Sequence, residues 1–122
     1  AELARRAWRR PVSDEDLARL LALTPSDAPR ELRVRTALEA LLCSPRFLFR
    51  IERDPAPGQV RDLDGFELAT RLAYFLWSST PDDELLAAAE RGELASSEGR
   101  ARQVRRMLRD ARSSELTRRF AT

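Results

Sequence analysis

The sequence contains no histidine, no lysine and a single cysteine. Without histidine the chain lacks the commonest general base near neutral pH and the commonest metal ligand. No Ser–His or Cys–His pair exists within it, so a self-contained hydrolase would have to work with Asp, Glu, Tyr or Arg alone. One cysteine excludes an intrachain disulfide, and no CxxC or CxxCH is present to hold zinc or attach haem. Cys43 closes the apolar run Ala40-Leu41-Leu42-Cys43, which predicts a small buried hydrophobe rather than a reactive thiol. No apolar run approaches the ~20 residues of a membrane span. The N-terminal AELARRAWRRP has no apolar core of the kind a signal peptide needs. No stretch alternates in the β-branched and aromatic types that make strands.

What is present is arginine. All 22 basic residues are Arg, set against 20 acids. Near-cancellation argues for solvated and internally paired charge rather than a uniformly basic surface. Locally the balance is uneven. Residues 62–98 hold Arg71 and Arg91 against nine acids, and residues 99–122 hold eight Arg against Asp110 and Glu115. The simplest expectation is that the acidic middle and the basic end face each other. The alternative is a basic surface for an anionic partner.

At 122 residues the length suits one domain. The central stretch Leu63–Trp77, LDGFELATRLAYFLW, places Phe66, Ala69, Leu72, Ala73 and Leu76 on one helical face, widened by Leu68, Phe75 and Trp77. Glu67 and Arg71, four apart, are expected to pair along a narrow polar stripe. Such a helix predicts a buried spine near residues 63–78. Around it the pattern gives an all-α, irregular bundle of about six to seven helices.

Leu3–Arg10 reads as a short helix whose Trp8 docks on the spine or is left bare. Ser13 caps a helix running to Leu23. Asp27 is expected to cap the next, whose buried side is marked by Leu32, Thr36, Leu38, Leu41 and Leu42, and Ser44-Pro45 to start another turn bearing Phe47, Leu48, Phe49 and Ile51 against the spine. RDPAPGQVRD (Arg53–Asp62) forbids a helix. The organisation expected is therefore an N-terminal helical module at 1–53, a linker at 54–62 and a C-terminal module at 63–122. The two modules are expected to pack as one unit that is truncated at its C-terminus. Asp62 or Asp64 caps the spine. Thr80-Pro81-x-Asp83 reads as a near capping box for a helix closed by Gly92. A further helix starts near Ser96 or Ser97, and Ser114–Phe120 is a last helical segment.

Chemistry is sparse. The cluster Asp82-Asp83-Glu84 follows Thr-Pro and reads as first-turn dipole and capping groups rather than a cation site. GELASSEG (Gly92–Gly99) lacks the Gly-Lys-Ser/Thr ending of a phosphate loop. Arg102, Arg105, Arg106 and Arg109 lie near one another on a helix; pairing with the acidic 82–98 region is preferred over a nucleic-acid surface. Tyr74 and Trp77 read as core rather than as a ligand pocket. No catalytic, cofactor-binding or metal residues are assigned. For an enzyme whose site needs segments outside this chain, Arg46, Arg71 and Asp82 are the first candidates.

Two pairs of stretches carry a resemblance. ARRAWRRPVSDEDLARLLAL with LEALLCSPRFLFRIE, and ELATRLAYFLWSSTPDDELLAAAERGEL with QVRRMLRDARSSEL, together resemble the planctomycete-type secreted domains five and four. These are domains of unknown function in large exported proteins of planctomycetes and myxobacteria. SPRFLFR and RLAYFLWSSTPDDELL are the distinctive parts. The resemblance implies an extracytoplasmic, periplasmic or secreted setting, with the remaining domains of a parent protein as partners. It also implies c-type cytochrome modules elsewhere in such proteins. Haem c, if present, belongs to those modules, because CxxCH is absent here. The function expected is a helical scaffold or interaction module. Part of an enzyme domain, and a small Arg-rich nucleic-acid-binding protein, are the alternatives in that order.

Overall fold

In the computed structural model, which describes residues 1–52 and 55–120, the chain is all-α. Among the described residues there are eight α-helices and two short 3₁₀ turns. The chain divides into two compact units, 1–51 and 52–122.

The first unit holds α1 (Glu2–Trp8), α2 (Asp14–Ala22), α3 (Arg30–Leu42) and α4 (Pro45–Leu48). Ser13 caps α2 as its sequence predicts, its hydroxyl accepting from the Asp16 N–H at 3.1 Å, with Asp14, Glu15 and Asp16 in the positive first turn. The buried centre is small: Ala4, Ala7, Trp8 and Leu41, with Val12, Leu17, Leu20 and Phe47 packed around it. Trp8 is not bare but buried in this unit's own cluster. Its indole N–H donates to Ser44 Oγ at 2.8 Å, and that hydroxyl donates to the Leu41 carbonyl at 2.8 Å. Within this unit α4 packs on α1 and α3. Arg9 explains why. It ends α1 in the left-handed region (φ 59), and its buried guanidinium donates to the carbonyls of Ala7, Arg46, Phe47 and Phe49. One side chain thus collects carbonyls from the end of α1 and from along and beyond α4.

Two further expectations for this unit fail. Pro29, not Asp27, precedes α3; its fixed φ starts the helix without any side-chain cap. The apolar residues Leu32, Leu38 and Leu42 are exposed and only Leu41 of α3 is buried. Cys43 is exposed as well, at the C-terminal cap of α3, because the face that carries it is not covered.

The second unit is built on α5 (Gly65–Trp77), packed by α6 (Asp83–Glu90), α7 (Ser97–Leu108), α8 (Ser114–Phe120) and the 3₁₀ turns Glu93–Ala95 and Ala111–Ser113. Its core is Ala69, Ala73, Leu76, Trp77, Leu85, Ala89, Leu94 and Met107. The central helix is therefore where the pattern put it. Its outer side is open: Phe75 is 58% exposed and Leu68 and Leu72 are half-buried.

Small residues set the spacing. A Cβ on Gly65 would lie 2.9 Å from the Ala89 carbonyl oxygen, and one on Gly99 only 1.9 Å from that of Glu93. Asp64 and Glu67 form a full capping box at the start of α5: Asp64 Oδ1 accepts from Glu67 N–H and Glu67 Oε2 from Asp64 N–H, both at 2.8 Å. Asp82, not Thr80, caps α6, accepting from the Leu85 N–H at 2.9 Å, so Pro81 precedes the cap and is buried. Gly92 follows α6 at φ 73, where a left-handed residue closes the turn. Ser96 caps α7 through the Gly99 N–H.

Candidate functional site

The densest polar constellation lies where α6 begins, α7 ends and the last residue of α5 is buried. Trp77 is at its base, its indole N–H donating to the Met107 carbonyl at 3.0 Å. The Arg112 guanidinium carbon sits 3.6 Å from the centre of the Trp77 ring and that of Arg106 at 5.7 Å. Both guanidiniums then reach Asp82. Arg106 is bidentate, at 2.8 and 3.0 Å, and Arg112 contacts Oδ2 at 3.3 Å. Arg112 also clasps Asp110, at 2.9 and 2.7 Å. Arg106 Nε donates to the buried Gln103, whose amide donates to Glu84 at 3.4 Å. The indole thus supports two cations, and two carboxylates neutralise them.

Burial by itself would push the Asp82 carboxyl up. The bond from Arg106, the Leu85 amide and the charges of Arg106 and Arg112 outweigh it and hold the group below the ordinary carboxylate range. Asp110 is driven down further, chiefly by the side-chain bond from Arg112 and then by the Arg112 backbone N–H. Arg112 is raised in turn, Asp110 being the main cause. A carboxylate held this low is a weak proton acceptor at neutral pH, the opposite of the tuning that general-base work asks for. The arrangement can clamp three elements together.

A second carboxylate is treated the same way. Glu67 is buried, completes the α5 capping box and receives Arg61 at 2.9 and 3.0 Å. The expected Glu67–Arg71 pairing is replaced: Arg71 turns to Glu52, at 2.6 Å on both contacts. The first unit repeats the theme, with Arg46 5.0 Å above the Trp8 ring and 2.7 Å from Asp16. The bond from Arg46 is the largest influence on Asp16 and lowers it. The three polar candidates Arg46, Arg71 and Asp82 are therefore held by three different sets of partners, and within the second unit Arg71 and Asp82 share none.

The acidic middle and basic end do face each other. Arg106 and Arg112 meet Asp82, Arg102 meets Glu93 at 3.4 Å, and Arg100 donates to the Leu94 and Ala95 carbonyls. Asp83 and Glu84 occupy the first turn of α6 behind the Asp82 cap, as expected for dipole groups. Among the described residues no group of His, Cys, Asp and Glu side chains is disposed to hold a metal ion. None of their helices is long and apolar enough to cross a membrane. The Trp77 stack was not foreseen, although RLAYFLW ending in Trp and Arg112 lying beyond α7 were both legible. The Arg61–Glu67 pair left no signal, since a loop residue supplies its cation.

An all-α fold whose Asp82, Asp110 and Glu67 carboxylates are held by guanidiniums is what these features define. Residues 1–52 match the model of PSD5, protein of unknown function (DUF1595), and residues 63–122 that of PSD4, protein of unknown function (DUF1592). The chain belongs to these two planctomycete secreted domain families, which it carries one after the other. No curated protein and no solved structure matches it.

Proposed function

We propose that the chain is a scaffold and interaction module of a larger exported bacterial protein, in an extracytoplasmic setting and linked there to c-type cytochrome chemistry. One observation carries the scaffold part: Asp82 caps α6, Glu67 completes the capping box of α5, and each is gripped by arginine. The exposed row Val34, Leu38 and Leu42 on α3 supports the interaction part, because a surface row of this kind gains free energy when another element covers it. The family names support the exported setting. The residues here do not suit a haem, with one cysteine and no histidine, so any haem would sit on other domains.

The reading frame around this segment tests the setting: an export signal and a CxxCH motif elsewhere in it are the expected result. A complete short frame starting just before Ala1 would overturn it. Binding tests the module. The rest of the parent protein, expressed as a separate polypeptide, should form a complex with these 122 residues and protect the amides of α3 from deuterium exchange. Absence of a complex sinks the interaction reading. Turnover of a small substrate by the isolated chain, abolished in D82N, would replace it with the enzyme alternative.

A further inference from the structure

We propose that the outward face of α7, formed by Arg105, Leu108 and Arg109, docks an acidic segment of a partner protein. The inference rests on the interaction-module reading but uses a different helix from α3.

Arginine in this part of the chain is nearly always spoken for. Arg100 binds carbonyls, Arg102 meets Glu93, Arg106 and Arg112 meet Asp82, and Arg118 meets Glu115. Arg105 and Arg109 are exposed and have no ion pair or hydrogen bond from their side chains among the described residues. They are four apart at the end of α7, with Arg109 as its C-terminal cap, so their side chains share a face. The negative end of the helix dipole accounts for positive charge there. It does not account for the absence of an acid, which every other arginine side chain of α7 and its flanking turns replaces with a carbonyl or finds outright.

Leu108, 48% exposed, lies on α7 between them. Two cations one turn apart with an apolar side chain alongside match a helix or extended segment bearing two carboxylates and an aliphatic residue. A nucleic-acid backbone fits less well. Tight binding to it rests on neutralising many phosphates, and residues 52–122 carry 13 acids against 12 Arg. The exposed Glu98 also sits on the same helix, one turn before Arg102.

The test uses the whole 122-residue chain, ¹⁵N-labelled, at 50 mM salt. One probe is a synthetic helical peptide with two Glu one turn apart flanking a Leu, and the other is a short random DNA duplex. The peptide should shift the amides around 105–109. R105Q/R109Q should weaken it by roughly tenfold, as the loss of two exposed charge contacts implies. R119Q, which removes an exposed arginine of α8 that also lacks an ion pair, should leave it unchanged. All these substitutions are on the surface, and an unchanged amide spectrum establishes that each variant is folded. No peptide binding, equal binding to R105Q/R109Q, or a duplex that binds more tightly than the peptide with the same loss would each overturn the proposal. None of these outcomes bears on the α3 complex, so the two readings fail separately.

Discussion

Asp82 does three things with one carboxylate: it caps α6, it pairs with Arg106 and Arg112, and it keeps both cations over Trp77. Asp82→Asn keeps a capping oxygen but loses the charge, leaving the half-buried Arg106 without its counter-ion and Arg112 with Asp110 alone. It should destabilise the chain by about 1–3 kcal/mol, read from the urea midpoint. The same charge fixes a pH dependence. The folded carboxyls of Asp82 and Asp110 lie below the unfolded value of 3.8. Their contribution is therefore complete above that value and fades as the pH falls through it toward the folded values. Thermal melts should be flat from neutral pH to about pH 5 and drop below pH 4, with a smaller drop in D82N. An identical acid limb in both proteins would show that Asp82 is not responsible. In the first unit, Arg9→Ala removes the donor to four carbonyls and should cost about 1–3 kcal/mol, more than any other single arginine of α1.

At the scale of the element, close approach decides. The N-terminal turn of α7 lies so near the 3₁₀ turn before it that a methyl at residue 99 would overlap the Glu93 carbonyl at 1.9 Å. That oxygen is backbone and cannot swing away. Gly99→Ala should therefore be destabilising by about 2–4 kcal/mol, although alanine is the better helix former, and a melting temperature at or above that of the parent would refute the packing. Elements of this kind show what the sequence can and cannot convey. Ser13 as a cap, a cap at Asp62 or Asp64, a helix start near Ser96 or Ser97, Gly92 as a stop and a central helix near 63–78 follow from local rules, and the structure places the two open caps at Asp64 and Ser96. The cap of α6 went to Asp82 rather than Thr80 because long-range arginines reward that position, and local rules do not see Arg106 from residue 82. Cys43, Phe75 and the apolar residues of α3 were predicted buried because apolar periodicity marks a face without saying what lies against it. The charge asymmetry between 62–98 and 99–122 was legible as a sum. The pairs that realise it depend on how α6 and α7 pack, which the sum does not specify.

The two units differ in how much they bury within themselves. Residues 52–122 enclose Trp77, Leu85, Leu86, Leu94 and Met107 with under 2% of each exposed. Residues 1–51 bury one leucine, one tryptophan and two alanines, and leave Leu21, Leu23, Leu32, Val34, Leu38, Leu42, Leu48, Phe49 and Ile51 exposed. At roughly 25 cal/mol per Å² of apolar surface, four small-to-large buried side chains recover only a few kcal/mol each, against about 1–2 kcal/mol of backbone entropy for every ordered residue. A core of that size falls below what a segment of about 50 residues needs to fold alone without a disulfide or a metal. Expressed separately, residues 52–122 should therefore melt cooperatively. Residues 1–51 should show a broad, noncooperative loss of helical signal by circular dichroism. Arg9 and the Trp8–Ser44 bond give that segment a defined local shape but too little buried area to hold it. A sharp two-state transition for the isolated 1–51 segment would mean that its polar locks contribute far more than their ordinary ~1 kcal/mol each, and the case for α3 as a surface awaiting cover would lose its energetic basis.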